Sequence, residues 1–516
     1  MFTIWLTFAF ALFYWLYRVN KNYHVLGFFA KRVYTQNGKP VESLVAVPQG
    51  LSGLRNLFAN FGKDNASVFT YLREISKRMG YRSYVQYGMG RTMLSVVDAE
   101  YAEIVLNDQN LINKGLVYTF MEPALKNGLL IASGQKWHSR RKMLTPTFHF
   151  NIMGQFQEVF KTESLKFVQP FLKEEEIDIT LNDIIPRFTL NTICETAMGI
   201  KLDDMAEEGD RYRNSFSKID QCFARRLTNP FLWNRKIYDL IAAKDYEPHL
   251  KEVHRFSSEI IAKRKVLFEK ELEQRHNRKT TEEDLFINKK QRYAMLDTLL
   301  CAESDGLIDH AGICEEVDTL MFAGYDTTSM GLIFGLMNMS VYPELQDLCF
   351  KEIEEYVDDD FNNLDSNLLG KLKHLECFVK ETMRMYPSVP IISRKTIQDT
   401  TLSNGLVLPK NTDVTLLIFD ILRNPKHWDS PDEFKPERFL PENSQNRPTY
   451  AFVPFSAGQR NCIGQKYAMQ EMKTLMVVIL KRFKILPLVD PKTLVFNVGI
   501  TLRTKTDIKV KLVRRK

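Results

Sequence analysis

The sequence predicts one large domain, mainly α-helical with small β-sheets, behind a short hydrophobic N-terminal segment. Three observations lead there. No Pro/Gly/Ser-rich linker, repeat or low-complexity tract divides the 516 residues, although length alone would suggest about two to four domains. Helical apolar periodicity dominates between Asn151 and Phe350. Paired strands are read at only two places, Ser83–Val97 about Gly88-Met-Gly90 and Leu402–Leu417 as a hairpin about Asn404-Gly405.

Residues 1–17 (MFTIWLTFAFALFYWLY) carry no charge, and Arg18, Lys21, Lys31 and Arg32 follow them. As a helix this stretch would be about 25 Å long, close to a bilayer core of roughly 30 Å. It lacks the basic start and small-residue cleavage site of a secretory signal. The basic flank favours a membrane anchor with the body on the cytosolic side. Residues 18–46 are read as a basic flank and linker, and 47–516 as the catalytic domain. Gln274–Lys290 (QRHNRKTTEEDLFINKK) is a charged run between two helical patterns and is read as an exposed loop.

The net charge of +7 is modest. It suits anionic lipid or an acidic protein partner. No basic stripe with interleaved aromatics points to nucleic acid. The seven cysteines (194, 222, 301, 314, 349, 377 and 462) show neither CxxC nor paired spacing. A scattered odd set argues for a reducing compartment and against a disulfide framework.

One cysteine stands apart. Phe455-Ser-Ala-Gly458-Gln-Arg460-Asn-Cys462-Ile-Gly464 places a thiol between glycines just before a helical run (QKYAMQEMKTLM). Unpaired amides and the positive end of a helix dipole lower a thiol pKa and suit a metal-bound sulfur. Glycines let the backbone turn and approach something large and flat. Arg460 can meet a carboxylate from the same side. A haem iron held by one cysteinate, with its propionates neutralised, has these needs.

A second stretch, Ala311–Met330 (AGICEEVDTLMFAGYDTTSM), forms a long apolar helical pattern in which Ala323 and Thr327 share one face. Small residues there allow close approach of a flat partner. Asp326 and Thr327 supply an acid and an alcohol for relaying protons, and Gly and Thr in mid-helix can bend the helix. Glu381-Thr-Met-Arg384 puts opposite charges at i and i+3, and Tyr-Pro-Ser-Val-Pro ends that helix. Trp137 and Arg141 share a helix face, and Arg394 follows Pro387 and Pro390.

The Cys462 loop resembles the haem-binding loop of the cytochrome P450 superfamily. Ala323-Gly-Tyr-Asp326-Thr327-Thr328 resembles its oxygen-binding helix, and the longer run Glu316–Thr328 looks like family 4, in an insect variant. Motif order follows the superfamily from near Val47 to the C-terminus, which implies the cytochrome P450 fold. The resemblance implies haem b with Cys462 as axial iron ligand, and Arg460, Trp137, Arg141 and Arg394 at the propionates. It implies proton delivery through Asp326 and Thr327, and a structural network of Glu381, Arg384 and Arg438 from Pro436-Glu-Arg438-Phe439. Many family 4 members carry a glutamate, able to esterify the haem, where this chain has Ala323. Non-covalent haem is therefore expected, with a relaxed preference for the terminal carbon.

The activity implied is insertion of one oxygen atom of O2 into a C–H bond of a hydrophobic substrate. Fatty acids or lipids, insect hormones and xenobiotics such as insecticides are the candidate classes. A haem carrier or sensor, or an oxygen-independent isomerase of the same fold, are the alternatives, and both sit poorly with the acid–alcohol pair. No GxGxxG follows a strand, since GMGRTM lacks the third glycine. Electrons are expected from NADPH–cytochrome P450 reductase, docking near Cys462 and the helix of Arg140, at the endoplasmic reticulum (microsomal) membrane. Val117–Met121, Leu320–Ala323, Val389–Ile392 and Val498–Thr501 are expected to line the pocket. Phe231-Leu-Trp233, flanked by arginines and lysine, is either a second membrane contact or a buried aromatic cluster.

Overall fold

The apolar run from His310 to Val341 forms a single helix of 32 residues. Asp309 caps it by accepting the Gly312 amide at 2.8 Å. Apolar residues circle this helix and most of its side chains are buried, as expected of a helix through the centre of a large domain. The structure, a computed structural model, describes residues 30–47, 64–88, 91–148, 150–277 and 294–515. The hydrophobic segment 1–17, most of its basic flank, Pro48–Gly50 and residues 278–290 of the charged run lie outside these.

In chain order the principal helices are α1 (Asn65–Arg78), α2 (Gly134–Leu144), α3 (Phe150–Val168), α4 (Leu181–Thr196) and α5 (Ala206–Thr228). They continue with α6 (Arg235–Asn277), the central α7 (His310–Val341), α8 (Lys373–Met385) and α9 (Gln465–Arg482). Helix α6 runs past Gln274, so the irregular segment read from the sequence starts later than expected.

The main sheet has four strands, in the order β1 (Tyr84–Gly88), β2 (Arg91–Val96), β4 (Asp413–Leu416) and β3 (Ile392–Lys395). Strands β1 and β2 form the expected antiparallel pair, with Tyr84 opposite Ser95. The second expected hairpin is only half right. Leu406–Leu408 does turn back on Thr400–Thr401 about Gly405, but β4 leaves this ladder and pairs in parallel with β2. Pro409 cannot donate a ladder hydrogen bond, and Asn411 adopts φ +69°, so the chain swings away between the two. A short hairpin near the C-terminus, β5 (Phe496–Val498) with β6 (Leu502–Thr504), reaches back towards α7.

Helix α7 organises the core. Its second half packs with α8, α9 and Phe483–Pro487 in one hydrophobic cluster, and its first half joins residues of α2 to α6 in another. Gly324 is what lets α4 come close, because a Cβ there would lie 2.6 Å from Ile193. Thr189 and Ser329 tie the same two helices through their hydroxyls, 2.7 Å apart.

Glu381, Arg384 and Arg438 come together in one buried cluster. Arg384 donates to both carboxylate oxygens of Glu381, at 2.7 and 2.8 Å, with both side chains fully buried. Arg438 lies 3.5 Å from the same carboxylate, and the Lys435 amide donates to it at 2.8 Å. Arg384 also donates to the carbonyls of Leu422, Pro431 and Glu433. A buried pair this well satisfied is costly to break from one side. We expect Glu381→Ala to destabilise the domain by about 3–5 kcal/mol, measured by guanidinium unfolding. A midpoint within error of the parent would contradict the role given to this trio.

Candidate active site

The loop before α9 closes on itself, with the Cys462 amide donating to the Phe455 carbonyl at 2.9 Å. Gly458 adopts φ +68°, and a Cβ on it would lie 2.0 Å from the Leu106 carbonyl oxygen, so only glycine fits. Gly464 caps α9, which sets Cys462 at that helix's N-terminus. The sequence argument for a lowered thiol pKa holds only in part. Cys462 is exposed to the open cavity, yet the protein around it desolvates the thiol and pushes its pKa up, while the Gly464 amide and Arg141 pull it down less strongly. A thiolate here therefore calls for a cation at the sulfur, which a bound metal supplies.

Cys462 lines a cavity that opens to solvent, with room for about 290 Å³ of water-sized centres. Arg141, Arg394, Arg460 and Trp137 line it too, as the sequence predicted, together with Lys114, which the sequence reading missed. Arg460 lies over the Trp137 ring, 4.7 Å from its centroid, and donates to the Ala132 and Leu130 carbonyls at 2.7 and 2.9 Å. Arg141 donates to the Asn461 carbonyl at 2.8 Å and to its side-chain oxygen at 2.7 Å. Lys114 sits 4.3 Å from the Tyr118 ring centroid. Burial lowers the Lys114 pKa, and the charges of Arg394 and Arg460 lower it further.

These four cations have no carboxylate ion-pair partner among the described residues. Among the described residues no aspartate or glutamate lines the cavity either. Buried cations left this way call for anions. Haem fits: its two propionates would meet Lys114, Arg141, Arg394 and Arg460, and its iron would take the Cys462 sulfur.

Helix α7 faces the cavity with Thr319, Leu320, Phe322, Ala323, Gly324, Thr327 and Thr328. The Thr327 hydroxyl donates to the Ala323 carbonyl at 2.7 Å, and Ser388 donates to the Thr327 carbonyl at 2.7 Å. Asp326 points elsewhere. It is buried, is not a lining residue, and accepts from Thr501 at 2.8 Å and Arg503 at 2.5 Å. Acid and alcohol are thus adjacent in sequence but turned to different sides of the helix. The start of the family-4-like run has a bracing role: Glu316 accepts the Leu129 amide at 3.0 Å, and Asp318 takes Lys126 at 3.0 Å and His254 at 2.9 Å.

Of the expected lining, Val117, Tyr118, Met121, Leu320, Phe322, Ala323, Val389, Ile391, Ile392, Val498, Gly499 and Ile500 are present. Thr501 is instead bound to Asp326. Phe223 and Leu227 of α5 were missed, since an apolar ridge on a helix gives no sign of which cavity it faces. Arg140 itself does not face outward on the helix named from the sequence. It is buried, 3.6 Å from Glu316, so the exposed lysines close to the loop are Lys142 and Lys466.

Two outcomes follow for haem retention. Acidified butanone should extract all haem from the loaded protein, and any residual covalent fraction would contradict the acid-free lining. Lys114→Met should speed haem transfer to apomyoglobin by about tenfold, and an unchanged rate would remove Lys114 from the propionate site.

The comparisons agree with this geometry. The profile of the family described as Cytochrome P450 matches residues 48–512. Cytochrome P450 4p1 of Drosophila melanogaster is 60% identical over 516 residues, covering 100% of both chains. Probable cytochrome P450 4ac1 of the same fly is 44% identical, over 97% of this chain and 96% of the relative. Human cytochrome P450 4V2 is 34% identical, over 88% and 86%. Cavity, thiolate donor and relatives together lead to one conclusion: the chain belongs to the cytochrome P450 family, resembles its family 4 members from an insect, and is a haem-thiolate monooxygenase.

Proposed function

We propose that this monooxygenase oxidises a neutral, lipid-like substrate at the membrane surface, with electrons from NADPH–cytochrome P450 reductase. The observation that carries the substrate class is the cavity's charge distribution. Among the described residues its cations cluster about the Cys462 loop, where propionates would claim them, and no acid lines it. The far wall of Val117, Met121, Phe223, Leu227, Val498 and Ile500 is apolar. A carboxylate buried against that wall would lose its hydration without gaining a partner. Within the classes the sequence suggests, this favours neutral lipids, hormones and xenobiotics over free fatty acids.

Cys462 would hold the iron, and the four cations would hold the propionates. Bound haem supplies the oxygen-activating chemistry. Ala323 and Gly324 keep the face of α7 low over the cofactor, and the Thr327 hydroxyl stands ready to hand on a proton. Asp326, on the other side of the helix, is held by Thr501 and Arg503 and would have to leave them to resupply that proton. The exposed Lys142 and Lys466 offer charge to an acidic reductase surface.

Membrane placement rests on residues 1–17 and on a second contact. No described helix is long and apolar enough to cross a membrane. Of Phe231-Leu-Trp233, Leu232 is buried and the Trp233 indole donates to the Leu227 carbonyl at 3.4 Å, so those two pack inward. Phe231 is half exposed, and Ile237, Leu240 and Ile241 join it, with Leu240 87% exposed. Arg225, Arg235 and Lys236 flank this apolar ridge, an arrangement suited to an anionic lipid surface.

Three measurements test this reading. Methyl dodecanoate should perturb the Soret band of the loaded protein at concentrations about tenfold lower than dodecanoate. Tighter binding of the free acid would reverse the substrate assignment. Thr327→Ala and Asp326→Asn should raise the hydrogen peroxide formed per NADPH consumed with reductase by about tenfold, and unchanged yields would remove them from proton delivery. A polarity-sensitive fluorophore on Leu240→Cys should shift to the blue with anionic vesicles, and no shift would place that ridge in water.

A further inference from the structure

Two backbone carbonyls of α7, one turn apart, each take an extra hydroxyl donor. The Thr327 hydroxyl donates to the Ala323 carbonyl at 2.7 Å, and the Ser388 hydroxyl donates to the Thr327 carbonyl at 2.7 Å. The first contact stays within the helix. The second comes from outside it, out of the segment that follows α8, 61 residues further along the chain. Ala323, Thr327 and Ser388 all line the cavity. A side chain that inserts into a helix ladder from outside competes with the intrahelical amide for the same carbonyl, and such insertions bend helices locally.

Ser388 stands in a rigid frame. Pro387 precedes it and Pro390 follows two residues later, and each ring fixes its own φ. The Leu502 amide of β6 donates to the Ser388 carbonyl at 2.9 Å, and the Phe419 amide donates to the Pro390 carbonyl at 3.1 Å. Upstream, the Tyr386 amide closes α8 on the Thr382 carbonyl at 2.7 Å. A hydroxyl carried on such a frame has little freedom left to lose when it binds. The amide that meets the Thr327 carbonyl in a regular helix belongs to Gly331. A Cβ on Gly331 would lie 2.6 Å from Met472 Sδ and 3.7 Å from Ser388 Oγ, so glycine lets α9 come close at the turn that Ser388 holds.

We propose that Ser388 is a positioning residue for the oxidation: by holding the Thr327 carbonyl from outside α7, it fixes where the Thr327 hydroxyl stands in the cavity. Val389, Ile391 and Ile392, which follow Ser388, line the same cavity. One stretch of chain thus sets both a substrate wall and the Thr327 hydroxyl. This rests on the reading of Thr327 as the group that hands on a proton.

The test uses the full-length, haem-loaded protein and the carbon monoxide stretch of its ferrous form, read by infrared spectroscopy, because that band reports the polar groups beside the ligand. Ser388→Ala removes the donor and should shift or split the band. Ser388→Thr keeps a hydroxyl and should return the band towards that of the parent. With reductase and NADPH, Ser388→Ala should also raise the hydrogen peroxide formed per NADPH by about three- to tenfold, the equivalent of one hydrogen bond's net worth. A parent-like band in Ser388→Ala would overturn the proposal, and a lowered thermal midpoint beside that unchanged band would make Ser388 a brace of the fold alone. Equal behaviour of Ser388→Thr and Ser388→Ala would also overturn it, since the hydroxyl would then not be the cause. Thr327→Ala separates the two readings. A parent-like peroxide yield there beside a shifted band in Ser388→Ala removes the proton role and leaves the tie. A raised yield there beside an unchanged band in Ser388→Ala does the reverse.

Discussion

Four cations, Lys114, Arg141, Arg394 and Arg460, converge on a cavity lined by no acid among the described residues, an arrangement that calls for an anionic group between them. That constraint orders the rest of the molecule. Trp137 is stacked beneath Arg460, and the 130–132 segment is held by the same guanidinium through two carbonyls. The Cys462 loop is shaped by Gly458 against Leu106 so that a sulfur sits opposite α7. A thiol whose pKa is raised by desolvation and cations deprived of counter-charge are both resolved by one bound cofactor. The apoprotein site is unfavourable in the same two ways that the loaded site is favourable.

The far side of the cavity follows from what α7 can and cannot do. Its small residues at Ala323 and Gly324 leave room, and its buried acids brace neighbours rather than line the space. Glu316 and Asp318 hold the segment running from Lys126 to Leu129, and Asp326 is held by the β5–β6 hairpin. Charge is thereby removed from the substrate's surroundings and spent on fixing the walls. An apolar ligand finds a site with no unpaired carboxylate to desolvate.

Much of this was legible in the sequence, for a definable reason. The Cys462 loop, the Ala323–Thr328 stretch and the Glu381–Arg384 pair are local motifs whose spacing fixes their geometry on one loop or one helix face. Trp137 and Arg141 were readable for the same reason. Lys114 was not, because it stands alone in an irregular segment and acquires its role only from Arg394 and Arg460, which lie hundreds of residues away. The Asp220–Arg503–Asp326 cluster was equally invisible, being assembled from three elements with no shared pattern. The inward turn of Arg140 was not legible either. Its basic neighbours suggested a surface, but the i+4 face of α2 turns it onto Glu316. The parallel pairing of β4 with β2 also escaped local reading, since long-range pairing leaves no mark on a four-residue strand.

The most direct test of the whole account is the difference spectrum of the dithionite-reduced, haem-loaded protein with and without carbon monoxide, run beside Cys462→His. Thiolate ligation predicts a strongly red-shifted Soret band in the parent that is lost in the variant. A histidine-type band in the parent, or a red-shifted band that survives Cys462→His, would contradict it.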